Sequence, residues 1–302
     1  MSGPRDEASE ASSKQRGLLL MFIATACFVG MSTFVKILRE DGLETGEVVF
    51  WRSAPGLLWV WVELRLRKTS LRPSAPRPLV WRSLAGLTAM CSYFYALRAL
   101  TMTESAVLHL LQPVFVALLA PFMLDERLRK HAIVALVLAV LGALIVIRPD
   151  RAWRAELPTL AVLAGLCGAL SSAFAHVMVR RATAKDAPEL VVFWFTVCVT
   201  SAGLVLSLAS GRMLSGLPAD TSFGEMGAKI AAMAALGLAG QLTMTRAYSR
   251  AAAPMVAIVA YASIPLSFAI DLFSWQVAPS VEIVLGSLMM VVAGVLLVRG
   301  RG

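Results

Sequence analysis

Ser105, His109 and Gln112 fall at i, i+4 and i+7 within an apolar run from Thr101 to Leu124, a spacing that puts a hydroxyl, an imidazole and an amide on one helical face. Facing hydrocarbon, those groups would have no hydrogen-bond partners, so the face must look onto protein or water. His176 and Gln241 repeat the same chemistry later in the chain. Tyr95 and Tyr261 each combine a ring with a hydroxyl, and Arg98 continues a stripe with Thr88 and Tyr95. Arg52 is a charge inside an apolar stretch, where insertion costs roughly 2.5 to 3.5 kcal/mol. It either receives an anionic group of a bound molecule, pairs structurally with Glu47 or Glu63, or reaches out to the membrane surface. Together Arg52, Tyr95, Arg98, His109, Gln112, His176, Gln241 and Tyr261 suit the recognition of a small carboxylate-bearing or aromatic molecule.

His109 and His176 are also candidates to carry a coupling proton, because an unperturbed imidazole titrates near neutrality. The competing reading is a hydrogen-bonded histidine in the packing. Asp271 is a third candidate proton carrier; its alternative is a residue marking the end of its helix. The chain has no P-loop, HExxH, GxSxG or clustered metal ligands, so neither an enzyme nor a cofactor or metal is expected. The four cysteines, Cys27, Cys91, Cys167 and Cys198, lie in apolar runs without ligand spacing and read as small hydrophobes.

The elements that hold these groups are membrane spans. The chain has 302 residues, 58% of them hydrophobic and only 16% charged, too little polar surface for a soluble globule of this size. Ten apolar stretches stand out: 17–37, 48–64, 83–100, 105–124, 132–147, 159–179, 190–210, 230–248, 255–273 and 281–298. Each approaches the ~20 residues that cross the hydrocarbon. Residues 1–16 are polar and of mixed charge and read as a disordered tail. The net charge of +9 does not signal nucleic acid, because its basic residues sit in short connections. They crowd alternate loops, for example Arg65, Arg67, Lys68, Arg72, Arg77 and Arg82, which places both termini in the cytoplasm.

Val48-Val49-Phe50-Trp51 recurs as Val191-Val192-Phe193-Trp194, 143 positions later. Pro113 and Pro265 correspond at an offset of 152, as do Gly142 and Gly294. The chain therefore divides into two five-span halves, 17–149 and 159–298. Five is odd, so the second half enters from the opposite side, the inverted repeat typical of secondary transporters. Polar stripes assign spans 1, 3, 4, 6, 8 and 9 to a central cavity and leave 5 and 10 outside as supports or a homodimer surface. Pro113 and Pro265 are candidate hinges, with static curvature as the alternative. Ala161, Gly165, Ala169 and Ala173 give span 6 a small-residue face for close packing. The expectation is an all-α integral membrane protein that passes a small molecule through a lipid bilayer.

A resemblance sharpens this. Ala96-Leu97, Ala99, Ala106, Leu110, Pro113, Phe115 to Ala120, Glu126-Arg127-Leu128, Gly142 and Arg148-Pro149 resemble the first-half signature of the EamA-type transporters of the drug/metabolite transporter superfamily. Phe50-Trp51-Arg52 is similar to the second-helix motif of a branch that includes S-adenosylmethionine uptake transporters. The resemblance implies ten helices in two inverted repeats, a location in the cell inner membrane, and export or uptake of small metabolites such as amino acids. The second half departs from the pattern where Phe273-Ser274-Trp275-Gln276 replaces an acidic end to span 9. A membrane scaffold or receptor without transport is the rival from another functional class.

Overall fold

The computed structural model describes residues 4–100, 102–109, 111–124, 158–211, 222–278 and 280–299, with helical positions 134, 137, 138, 140–142, 144 and 145. The described residues form α1 (Pro4–Glu40), α2 (Thr45–Leu66), α3 (Pro76–Ala96), α4 (Met102–His109) and α5 (Leu111–Met123) in the first half. The second half holds α6 (Thr159–Ala182), α7 (Pro188–Ala209), α8 (Phe223–Arg250), α9 (Ala253–Val259), a 3-10 helix (Ala260–Ala262), α10 (Ser263–Ser274) and α11 (Val281–Arg299). The Asp125–Leu128 and Arg148-Pro149 motifs, and half of the span 132–147, lie outside the described residues.

Among the described residues, four helical stretches are long and apolar enough to cross a membrane: Ser12–Glu40, Thr159–Ala182, Pro188–Ala209 and Ala253–Ser274. Expected spans 2, 3 and 8 are helical as α2, α3 and α8 but fall short of that apolarity. The reason is their charged residues, including Arg52 in α2, Arg82 in α3 and Arg246 in α8. The tail differs too. α1 starts at Pro4, so residues 4–16 continue the helix instead of forming a disordered tail. Proline is well placed at a first helical position, and no glycine or further proline interrupts the chain before Gly17.

Local sequence sets several helix ends. Glu44 and Glu47 close a reciprocal capping box at the start of α2, the Glu44 N–H donating to Glu47 Oε2 at 2.9 Å, which satisfies donors that a helix start otherwise orphans. Asp186, buried in the turn between α6 and α7, accepts the Ser74 N–H at 2.7 Å and the Ala75 N–H at 2.9 Å. Arg180 donates to the Tyr248 and Ser249 carbonyls at the C-terminus of α8, where a cation also complements the helix dipole.

α1 packs along α8, α3 along α6, and α2 along α7. At the α2–α7 crossing the helices nearly touch: a Cβ on Gly203 would lie 2.6 Å from the Phe50 nitrogen, and one on Gly46 2.9 Å from the Ser207 nitrogen. The small face of α6 is buried, Ala161, Ala169 and Ala173 included, and Gly165 makes room for the Leu108 side chain. The helical residues of the fifth span meet α11, where a Cβ on Gly142 would crowd the Gly286 carbonyl at 2.7 Å. Both carry exposed apolar side chains, among them Val134, Leu141 and Leu144 on one and Leu285, Leu288 and Val292 on the other. Such a surface belongs against lipid tails or another apolar partner.

Two of the apolar clusters in the bundle lie along α1. One gathers Met21, Ala24, Ala173, Val177, Met244 and Ala247. The other gathers Met31, Val35, Leu38, Val48, Val49 and Phe94.

Candidate functional site

Along α1 the two clusters leave a polar interval between them. Thr25, Phe28, Val29 and Ser32 line a cavity of about 160 Å³ there, with Met21 and Ala24 before it and Val35 and Leu38 after it. The first half contributes Arg52 from α2, Arg82 and Tyr93 from α3, His109 from α4 and Gln112 from α5. From the second half come Ser172 and His176 of α6, Phe195 of α7, Gln241 and Met244 of α8, and Ser263 and Ser267 of α10. In a mostly apolar chamber inside an apolar bundle, each polar side chain must find a partner inside the protein or in a bound molecule.

Arg52 is 5% exposed. Its Nε lies 3.3 Å from Met31 Sδ and its Nη1 3.4 Å from Ser53 Oγ, and among the described residues it makes no ion pair. Both structural partners considered for it are engaged elsewhere. Glu47 belongs to the α2 cap, and Glu63 bridges Arg67 at 2.9 Å and Arg246 at 3.9 Å. Arg246 in turn donates to Glu189 at 2.7 Å. The route to the membrane surface is also excluded by burial, so the guanidinium remains inside the chamber.

Gln112 and His176 connect the halves directly, Nε2 to Nδ1 at 2.6 Å. With the amide nitrogen donating, His176 Nδ1 is the acceptor and its Nε2 carries the proton. His176 also lies beside the Tyr248 ring, centroid to centroid 5.0 Å, while His109 lies 5.3 Å from the Tyr93 ring.

Of the eight residues singled out in the sequence, Arg52, His109, Gln112, His176 and Gln241 line the cavity and three do not. Tyr95 is 41% exposed, on the far side of α3 with Thr88, and Arg98 is exposed in the turn after that helix. The cavity face of α3 is instead Arg82, Gly86, Ala89, Met90 and Tyr93. Residues two apart on a helix point roughly 200° away from each other, so choosing Tyr95 rather than Tyr93 selects the opposite face. Tyr261 is buried in an apolar cluster with Leu111, Ala169, Ile264 and Met290. Asp271 is buried but off the cavity, accepting the Met102 N–H at 3.2 Å. Lys36, further along α1, stacks over Trp275 at 4.6 Å.

Arg82 was the residue hidden by its position, since its neighbours read as a basic loop. The proline at residue 76 starts α3 well before it, and that start signal places Arg82 inside the helix. It is 3% exposed, donates from Nη2 to Gln241 Oε1 at 2.9 Å, and sits over the Phe195 ring at 4.0 Å.

Pro113 lies in α5 and Pro265 is the third residue of α10. The 3-10 helix at 260–262 comes just before α10. Proline has no N–H to give the carbonyl four residues earlier, and the backbone before Pro265 is tightened into a 3-10 turn.

Residues 15–148 match the model of the EamA-like transporter family. Along nearly its whole length the chain is similar to the pseudopaline exporter CntI of Pseudomonas aeruginosa, at 28% identity over 94% of this chain and 96% of the relative. It is 25% identical to a riboflavin transporter of Brucella anthropi over 86% of this chain and 90% of that protein. Human solute carrier family 35 member G1 matches at 23% identity, covering 98% of this chain and 84% of its own. A solved crystal structure superposes with a TM-score of 0.69 over 97% of this chain and 99% of that one at 18% identity, a likeness of fold. The first half of the chain is therefore similar to the EamA-like transporter family, and the chain along most of its length is similar to proteins named as transporters and exporters.

Proposed function

We propose that this protein is a secondary transporter that carries a small polar or amphipathic metabolite, amino-acid-like by default, across the cell inner membrane by alternating access. The observation that carries this reading is the central cavity, lined with polar groups from both halves and flanked along α1 by apolar clusters. Its two halves are inverted five-helix repeats. Supporting this, the pairings α1 with α8, α3 with α6 and α2 with α7 exchange among themselves when the halves are swapped. A site between inverted repeats near the membrane midplane is the geometry in which rocking of one half exposes the site to each side in turn.

In this reading Gln112, His176, Arg82 and Gln241 form contacts between the halves that cargo binding rearranges, and Pro113 and Pro265 are the hinges. His109 and His176 are the proton-coupling candidates. Asp271 holds the start of α4 and does not enter the cavity, so it is not assigned that role.

The test is a metabolite panel in proteoliposomes, with and without a pH gradient. Uptake of one compound, with accumulation against its gradient only when pH differs, is the expected result. The double substitution His109→Leu with Gln112→Leu should abolish flux while the protein stays folded. Unchanged flux would overturn the reading, whereas a scaffold would retain its partner in that variant.

A further inference from the structure

Two guanidinium groups, Arg52 and Arg82, face the same chamber, and among the described residues no carboxylate lines it. A buried cation without an opposite charge is expensive, and neither arginine has an ion pair among the described residues. Their recorded partners are neutral: a thioether and a hydroxyl for Arg52, an amide and an aromatic face for Arg82.

The bundle also makes room for both. A Cβ on Gly237 would lie 3.1 Å from Arg52 Nε, and one on Gly86 would clash with Arg82 Nη1. Gly237 and Gln241 belong to α8 and stand four residues apart, about one helical turn or ~5–6 Å of rise. Arg52 rests against the first and Arg82 bonds the second. The two positive groups are therefore presented along one face of α8 at about that spacing.

From this geometry we infer that the cargo is a dianion, a small dicarboxylate whose two acidic groups are separated by about one helical turn and are received one by Arg52 and the other by Arg82. This rests on the transport reading above and names its substrate class. Guanidinium is suited to both contacts, since its planar fork takes a carboxylate in two parallel hydrogen bonds. Phe28, Phe94, Phe195 and Met244 supply apolar walls for the carbon chain between the acidic groups. Binding at Arg82 competes with Gln241, the only described hydrogen-bond partner of its guanidinium. Cargo therefore loosens a first-half to second-half contact as it binds.

The experiment is calorimetric titration of the purified full chain with succinate and glutarate, each beside its monomethyl ester, together with suberate as an over-long diacid and with chloride and inorganic phosphate. The expected result is that the two short diacids bind roughly tenfold or more tightly than their monoesters and than suberate, the scale of one charge-assisted hydrogen-bonded contact. Arg52→Gln and Arg82→Gln should each erase the diacid preference while still binding the monoester, which shows that the variants fold. Equal affinity for diacid and monoester, a preference that survives both substitutions, or no binding of either diacid overturns the proposal, as does saturation by chloride or phosphate alone at the same affinity. Flux is measured separately in proteoliposomes. Diacid binding without flux retains the dianion site and removes the transport reading, and flux of an uncharged compound without diacid binding does the reverse.

Discussion

At the level of single residues, polar groups in an apolar setting announce themselves, and the groups singled out by that contrast converge on one chamber from four helices. His109, Gln112, His176 and Gln241 are conspicuous because no neighbour shares their chemistry, and burying them without partners is costly. Tyrosine carries no such information, since its ring is content in a core or at a membrane surface and its hydroxyl needs only one partner. That ambiguity is why Tyr95 was chosen over Tyr93 and why Tyr261 was placed in the cavity although it packs among aliphatic side chains. The difference is measurable. Tyr93→Ala should cut transport by roughly tenfold or more, the scale of a lost hydrogen bond and its ring contact. Tyr95→Ala should stay within about twofold, as for a surface change. Transport assays on the two variants at matched expression decide it, and the reverse ranking would mean that α3 is rotated.

Among the elements, the helices were legible from periodicity, and their mutual approach was legible only where small residues recur. The alanine and glycine face of α6 is the clearest case, because small side chains at every fourth position have few other uses inside a membrane. Gly203 is less obvious, a single glycine in α7, yet it sits where the Phe50 backbone passes. Gly203→Leu should destabilise the protein by about 1 to 3 kcal/mol through overpacking. Thermal unfolding in detergent should register this as a lowered Tm, with Gly227→Leu as the control, since a Cβ there meets nothing within 4 Å. An equal effect of both substitutions would count against the close α2–α7 crossing. Arg82 belongs to the same lesson. A basic residue near a loop looks like a topology signal, and only the helix start at the proline of position 76 reveals that it is one and a half turns inside.

For the whole molecule, composition alone fixes the class, since a surface this apolar needs lipid around it. The two-halves reading places both termini on one face of the membrane. Single cysteines at Ser12 and at Arg299, in a background free of Cys27, Cys91, Cys167 and Cys198, should both resist a membrane-impermeant maleimide in intact cells and both react after permeabilisation. Labelling of one but not the other in intact cells would refute the odd number of crossings per half. The substrate could not be read from the chain, because it depends on which side chains converge across helices far apart in sequence, Arg52 with Gly237 and Arg82 with Gln241.

The two backbone N–H groups held by Asp186 have a mechanical meaning. They fasten the segment leading into α3 to the turn joining α6 and α7, so α3 cannot tilt without dragging that turn or tearing both bonds. In the proposed rocking of one half against the other, this end is then the pinned one, and the motion that opens the chamber is greatest at the opposite ends of α3 and α6.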